Sequence, residues 1–115
     1  MRLKCINIVT TCLAEMCGFY ARVLQAPCTE IVPGRFEIKV QGVTLVFTHT
    51  SVKTPVNPDS CGLEFEVENV DEEYKRLIGA GVRIDSPPVT YPWKARAIGF
   101  RDPDGNHIDF VQFVQ

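Results

Sequence analysis

This 115-residue sequence has few histidines, no excess of basic charge and no long apolar run. It contains two histidines, and it has twelve Lys and Arg residues against fourteen Asp and Glu residues, which gives a formal net charge of −2. Because nucleic-acid binding needs a basic footprint, this balance argues against a nucleic-acid partner. No apolar run approaches the roughly 18 residues that cross a membrane, so we expect no membrane association.

Paired cysteine motifs are also missing. The chain has five cysteines, an odd number, and none of them forms a C-x-x-C motif. This pattern argues against a disulfide framework and against a zinc knuckle. The N-terminal residues do not have the charged, apolar and small-residue regions of a secretory signal peptide. We therefore predict a cytoplasmic protein with reduced thiols.

The first half of the chain combines helix-like and strand-like patterns. Residues 13–24 place apolar side chains at i, i+3, i+4 and i+7, which is the spacing of an amphipathic helix. Pro-Gly at 33–34 and Gln-Gly at 41–42 indicate turns between short β-like runs. The predicted elements are a strand at 3–10, a helix at 13–24, and strands at 28–32, 36–40 and 43–48.

The second half repeats this order after a linker. Residues 51–60 are polar, contain two prolines and lack periodicity, which is typical of a linker. Asn69 is a predicted N-cap for the helix that follows. The predicted elements are a strand at 62–68, a helix at 70–78, and strands at 83–85 or slightly beyond, 95–101 and 107–114. A half of about 50 residues is too small to bury its own helix and sheet, so two halves should pack together, within one chain or swapped between two.

Three segments carry a family resemblance: INIVTTCLAEMCGFYARVL, EVENVDEEYKRLIGAGV and PWKARAIGFRDPDGNHIDFVQF. Together they resemble the vicinal oxygen chelate superfamily, which contains glyoxalase I, bleomycin-resistance proteins and extradiol dioxygenases. The resemblance implies an α+β fold of two βαβββ modules, at 1–50 and 61–115, that form a curved mixed sheet with a cup-shaped cavity and helices on the outer face. It also implies a homodimer.

The same resemblance provides a test for a metal site. Metal-dependent members hold a divalent ion with side chains from the first and last strand of each half. Those positions fall on Cys5, Gly62, Asp109 and Val46, or Thr44 if the register slips. Glycine and valine cannot ligate through side chains, and Cys5 with Asp109 would be too few ligands of mismatched softness. We therefore expect no metal and no other cofactor, although an unusual site with Cys5 and Asp109 stays open.

Strand periodicity selects the polar candidates for ligand binding. Alternation along the last strand places Asp109 on the face opposite Ile108 and Phe110, and the same rule places Glu64 and Asn7 towards the predicted cavity. Such carboxylates suit a cationic ligand or acid–base chemistry, although plain exposed strand charges fit equally well. His107 is interpreted as a hairpin residue at the rim.

An aromatic group and an arginine precede the strand at 95–101. Tyr91 and Trp93 lie in a proline-rich loop, where they can stack on a flat or cationic ligand; the alternative for Trp93 is a core or dimer role. Arg96 could pair with Asp109 or with a ligand anion.

Three functions follow from these residues. The leading hypothesis is a metal-free protein resembling the bleomycin-resistance branch that binds a small cationic or aromatic molecule. The alternative is a lyase or isomerase of glyoxalase type with Glu64 or Asp109 as the general base, and the third is an interaction role with a vestigial pocket. The predicted ligand-binding residues are Asn7, Thr48, Glu64, Tyr91, Trp93, Arg96 and Asp109.

Overall fold

The computed structural model describes residues 1–114 and divides into two compact units, Met1–Pro55 and the residues from Val56 onward. The first unit contains β1 (Cys5–Thr10), α1 (Leu13–Leu24), β2 (Thr29–Val32), β3 (Arg35–Val40) and β4 (Val43–His49). The second contains β5 (Gly62–Glu66), α2 (Val70–Gly79), β6 (Val89–Tyr91), β7 (Ala95–Arg101) and β8 (His107–Phe113).

Each unit has one open four-stranded mixed sheet, with the strand orders β1-β4-β3-β2 and β5-β8-β7-β6. β1 runs parallel to β4 and β5 runs parallel to β8, while all other neighbouring strands are antiparallel. The predicted α+β fold of two βαβββ modules is therefore confirmed. The strands form two separate four-stranded sheets, because no ladder joins them within residues 1–114.

One face of each sheet is covered by the helix of its own unit. In the first unit Met16 and Tyr20 of α1 are fully buried, and the Tyr20 ring lies 5.0 Å from the Phe47 ring, centroid to centroid. In the second unit Val70 and Leu77 of α2 are fully buried, and α2 contacts β7 and β8. Burial of these side chains is the main stabilising contribution to each unit.

Helix α2 begins where the sequence predicts. The Asn69 side chain accepts a hydrogen bond from the Glu72 backbone N–H at 3.1 Å, which satisfies one of the free N–H groups of the first turn. Val70 also donates its backbone N–H to Gln112 Oε1 at 2.9 Å, so β8 helps to hold the start of the helix. No helix of residues 1–114 has the length and apolarity needed to cross a membrane.

The strand predicted at 83–85 or slightly beyond does not form at 83–85 and lies later in the chain. Ile84 forms only an isolated bridge with Phe100, and the edge strand of the second sheet is β6, four residues further on. Pro87 and Pro88 lie between the two and cannot donate to a ladder, so regular pairing with β7 begins only after them.

Candidate functional site

The face of the second sheet that lies opposite α2 carries the candidate site; we call it the helix-free face. Side chains of directly paired residues share a face, and the register pairs Gly99 with Asp109, Arg101 with His107, and Ala97 with Val89. On the opposite face, Ile98, Phe100, Ile108 and Phe110 are buried. This confirms the predicted alternation that separates Asp109 from Ile108 and Phe110.

A cleft of about 380 Å³ lies on the helix-free face and is formed by the second unit alone. Ala97 and Gly99 of the central strand β7 are among its lining residues. Because alanine has only a methyl group and glycine has no side chain, these two residues leave space between larger side chains: Val89 and Tyr91 on β6, and His107 and Asp109 on β8. The other lining residues are Asp85, Ser86, Ile98, Phe100 and Arg101. A cleft of this volume is within the range of small-molecule sites.

His107 and Asp109 form a hydrogen-bonded pair in this cleft. The distance from His107 Nε2 to Asp109 Oδ1 is 2.9 Å, and about a third of each side chain is exposed. Strand residues two apart point to the same face, which is why the pair can form. Asp109 Oδ2 and His107 Nδ1 have no hydrogen-bond partner among residues 1–114, so both atoms are available to a ligand.

Two glycines provide the space for this pair. A Cβ added at Gly99 would lie 3.2 Å from Asp109 Oδ1 and 3.3 Å from His107 Cε1. A Cβ added at Gly62, the β5 residue beside His107, would lie 3.2 Å from the His107 carbonyl oxygen and 3.3 Å from its Cδ2. The His107 side chain therefore approaches both neighbouring strands at positions that carry no side chain.

The DPDGN turn fixes the register that positions the pair. Asp102 is buried, and its Oδ1 accepts hydrogen bonds from the backbone N–H groups of Asp104 at 3.0 Å and Asn106 at 2.9 Å. Asp102 Oδ2 accepts from Asn106 Nδ2 at 2.8 Å. Gly105 occupies the left-handed region with φ of 93°. This closed turn aligns Arg101 opposite His107 at the end of the hairpin.

Tyr91 and Trp93 form an aromatic step beside the cleft. Their ring centroids are 4.7 Å apart with planes inclined by 13°, which is a stacked arrangement. Tyr91 lines the cleft, whereas Trp93 lies in the β6–β7 turn and is 67% exposed. The Lys94 N–H donates to the Tyr91 carbonyl at 3.1 Å and closes this turn. The tryptophan ring is thus held against Tyr91 while one of its faces stays accessible.

Arg96 lies on the face opposite the cleft. It donates to both Asp71 carboxylate oxygens at 2.8 and 2.9 Å, and to Thr90 Oγ1 at 2.9 Å. The Arg96 guanidinium lowers the pKa of Asp71 below its ordinary value, chiefly by hydrogen bonding. Arg96 therefore pairs with α2, and the pairing with Asp109 considered above does not occur.

The remaining predicted site residues fall in two places. Glu64 is exposed and is the parallel-strand partner of Asp109, so it lies on the helix-free face of the second sheet. Asn7 and Thr48 belong to the first unit, where they share the face of the first sheet that is opposite α1. The structure thus brings Glu64, Tyr91 and Asp109 to one face of one sheet.

Of the residues that line the cleft, the sequence analysis predicted only Tyr91 and Asp109 as ligand-binding residues. His107 was interpreted as a hairpin residue, and neither Gly99 nor Arg101 was considered. The signal for His107 was present, because it is two residues from Asp109 on a strand. Gly99 could be found only with the register that pairs it with Asp109, which depends on the turn.

A metal site is not supported by the donor atoms of these residues. Among residues 1–114, no three His, Cys, Asp or Glu side chains converge as ligands would. Of the four family positions, Gly62 and Val46 carry no ligating side chain, which leaves only Cys5 and Asp109. Since a metal-dependent site of this family needs four such side chains, the residues at those positions do not fit the ion.

Comparison with known proteins identifies the family. The model of the glyoxalase/bleomycin resistance protein/dioxygenase superfamily matches residues 2–110. The uncharacterized protein YraH of Bacillus subtilis is 40% identical over 53 residues, which are 45% of this chain and 41% of that protein. The chain therefore spans about two fifths of the length of this curated relative.

Solved structures show the same fold. A glyoxalase/bleomycin resistance protein/dioxygenase from Nocardioides is 26% identical with a TM-score of 0.77, over 100% of this chain and 85% of that chain. Lactoylglutathione lyase from Agrobacterium tumefaciens is 16% identical with a TM-score of 0.74, over 96% of this chain and 92% of that chain. With the family model covering nearly the whole sequence, the chain belongs to the glyoxalase/bleomycin resistance protein/dioxygenase superfamily.

Proposed function

We propose that this protein binds a small organic molecule with an aromatic part and a positive charge in the cleft of the second unit. The observation that supports this proposal best is the combination, in one cleft, of the Asp109 carboxylate and the Tyr91 ring, on which the exposed Trp93 ring stacks. A carboxylate attracts a cationic group, and aromatic faces attract both cations and flat rings.

The dimensions of the cleft support a ligand of modest size. Its volume of about 380 Å³ lies near the lower end of the range for small-molecule sites. Val89 and Ala97 provide apolar contact, and Asp109 Oδ2 provides a free acceptor. Binding by these groups needs no resident metal ion, in agreement with the poor fit of the donor residues to one.

Titration with benzyltrimethylammonium, a small aromatic cation, tests the proposal. Trp93 is the single tryptophan, so its fluorescence reports on the aromatic step directly. We expect a saturable fluorescence change in the wild type. We also expect binding about tenfold weaker in Asp109→Asn, because the electrostatic attraction between the carboxylate and the quaternary ammonium group is lost.

The exposed Glu72→Gln variant on α2 is the matched control, since it removes one negative charge away from the cleft. Its affinity should equal that of the wild type. If all three proteins bind the cation equally, or if none binds it, the cleft is not a site for cationic aromatic ligands.

A second function, proton transfer, is favoured by one specific contact. When His107 Nε2–H donates to Asp109, the opposite ring nitrogen Nδ1 keeps its lone pair and can accept a proton. We propose on this basis a lyase or isomerase in which Asp109 orients His107 and the imidazole is the base. Glu64, on the neighbouring strand, is the alternative base.

Hydrogen–deuterium exchange of a small carbon acid tests this second function. Incubation of dihydroxyacetone with the protein in deuterium oxide should speed the loss of its C–H signals in proton NMR. The acceleration should disappear in His107→Gln and persist in Glu64→Gln. An exchange rate equal to that of the buffer alone would eliminate the proton-transfer function while leaving the binding proposal intact.

A further inference from the structure

Arg101 differs from the other arginines of the second unit. Arg76, Arg83 and Arg96 each have a carboxylate partner: Glu73, Asp85 and Asp71. Arg101 has no ion-pair partner among residues 1–114, and it lines the cleft. Its guanidinium group is therefore available to an anionic group on a ligand.

The strand register places the polar groups of the cleft in a defined order. On β7, the positions facing the cleft are Ala97, Gly99 and Arg101, each about 7 Å from the next along the strand. Val89 is paired with the first position and Asp109 with the second. The apolar contact of Val89, the carboxylate of Asp109 and the guanidinium of Arg101 therefore follow one another along the direction of β7.

Asp109 and Arg101 do not neutralise each other. Asp109 is directly opposite Gly99, so it is a diagonal neighbour of Arg101, and its hydrogen bond goes to His107 instead. The diagonal Cα separation in such a ladder is about 7–8 Å. A ligand that carries both charges close together can therefore contact both side chains.

We propose that the ligand of this cleft is a free aromatic amino acid or a molecule with the same ammonium–carboxylate head. This inference rests on the proposed binding function and narrows its ligand class. The ammonium group meets Asp109 Oδ2, and the carboxylate accepts from the planar guanidinium fork of Arg101. The ring lies against Val89, Ala97 and Tyr91, which follow Gly99 in the direction away from Arg101.

Three matched compounds test the inference: L-phenylalanine, phenethylamine, which lacks the carboxylate, and 3-phenylpropanoate, which lacks the amine. Each is titrated into the wild-type protein by calorimetry, with proton–nitrogen NMR to locate the shifts. We expect phenylalanine to bind about tenfold more tightly than either partial compound, because each of these loses one charge-assisted contact.

Two variants assign the charges to their side chains. In Arg101→Gln, the affinity for phenylalanine should fall about tenfold to that of phenethylamine, whose own affinity should not change. In Asp109→Asn, the affinity for phenylalanine should fall to that of 3-phenylpropanoate. Lys75→Gln, on the exposed surface of α2, removes the same charge as Arg101→Gln and should leave all three affinities unchanged.

The outcomes separate this inference from the function on which it rests. If phenethylamine binds as tightly as phenylalanine and depends on Asp109, the amino-acid head is wrong and the binding of aromatic cations stands. If no compound shifts the resonances of the cleft, the inference is overturned. If benzyltrimethylammonium also fails to bind, the proposed function is overturned with it.

Discussion

At the scale of single residues, the cleft depends on side chains that are small or missing. Gly99 leaves the space in which the His107–Asp109 hydrogen bond lies, and Ala97 leaves the floor between β6 and β8 open. The sequence predicts Asp109 on this face from period-two alternation. It does not predict the importance of Gly99, because a cross-strand contact depends on register rather than on neighbours in sequence.

Gly99→Val should weaken ligand binding while the protein stays folded. Gly99 is not in the left-handed region, so the backbone accepts a side chain, but the new Cβ would press on Asp109 and His107. We expect at least a tenfold loss of benzyltrimethylammonium affinity, with a change in unfolding free energy of about 1–2 kcal/mol. Gly79→Ala, where a Cβ meets nothing within 4 Å, is the control and should bind normally.

Cys17 should resist alkylation in the folded protein. Burial, together with a hydrogen bond to Cys28, raises the pKa of the Cys17 thiol to about 12. At pH 8 its thiolate fraction is then about a thousandfold below that of an ordinary thiol. Mass spectrometry after brief iodoacetamide treatment should show label on the exposed Cys61 and none on Cys17. Equal labelling of the two would contradict this, and in urea both should react.

At the scale of secondary structure elements, most strands and both helices follow from apolar periodicity. The predicted helix at 13–24 matches α1, and the helix predicted at 70–78 lies within α2. The edge strand β6 could not be derived, because Val89–Tyr91 is short, exposed and preceded by two prolines. Edge strands receive few pattern signals, since neither of their faces needs to be wholly apolar.

The Asp71–Arg96 ion pair should make stability depend on pH in the acid range. Because hydrogen bonding to Arg96 lowers the Asp71 pKa in the folded state, the pair stabilises the protein above the unfolded pKa of about 3.9. This contribution is lost as the pH falls through the folded-state value. Asp71→Asn should therefore lower the urea midpoint at pH 7, and the difference from wild type should shrink towards pH 2.5.

Glu72→Gln is the appropriate comparison, because it removes a neighbouring carboxylate from the first turn of α2 without breaking an ion pair. Its effect at pH 7 should be smaller than that of Asp71→Asn. If the two variants had equal urea midpoints throughout the pH range, the pair with Arg96 would not stabilise the fold.

Replacing Gly18 within α1 and Gly81 after α2 by alanine should change the free energy of unfolding in opposite directions. Gly18 is exposed within α1, and an added Cβ meets nothing within 4 Å, so Gly18→Ala should stabilise the protein by about 0.5–1 kcal/mol. Gly81 has φ of 83°, so Gly81→Ala should destabilise it by about 1–2 kcal/mol. Thermal unfolding measures both, and a shift of the same sign in the two variants would contradict this reading.

At the scale of the whole molecule, the chain is a repeat whose halves diverge in their loops. β1 and β5 begin 57 residues apart, at Cys5 and Gly62. β4 and β8 begin 64 residues apart, at Val43 and His107. The repeated order of elements was visible in the sequence, and the family resemblance implied the fold class. The site could not be predicted from the repeat, because all the residues that line the cleft belong to the second unit.

The homodimer expected from the family resemblance stays a prediction. Val9 of β1 and Ile31 and Val32 of β2 are each more than half exposed. Sedimentation equilibrium at micromolar concentration should give twice the 12.9 kDa mass of one chain. A mass of one chain at all concentrations would rule the homodimer out.

The most direct test of the account is to map where an aromatic cation binds. Proton–nitrogen NMR of the protein titrated with benzyltrimethylammonium follows every assigned backbone amide at once. We expect saturable shifts concentrated at Tyr91, Gly99, His107 and Asp109, with the Trp93 indole signal moving in parallel. Shifts centred instead on Asn7 and Thr48 in the first unit, or no saturable shifts at all, would contradict it.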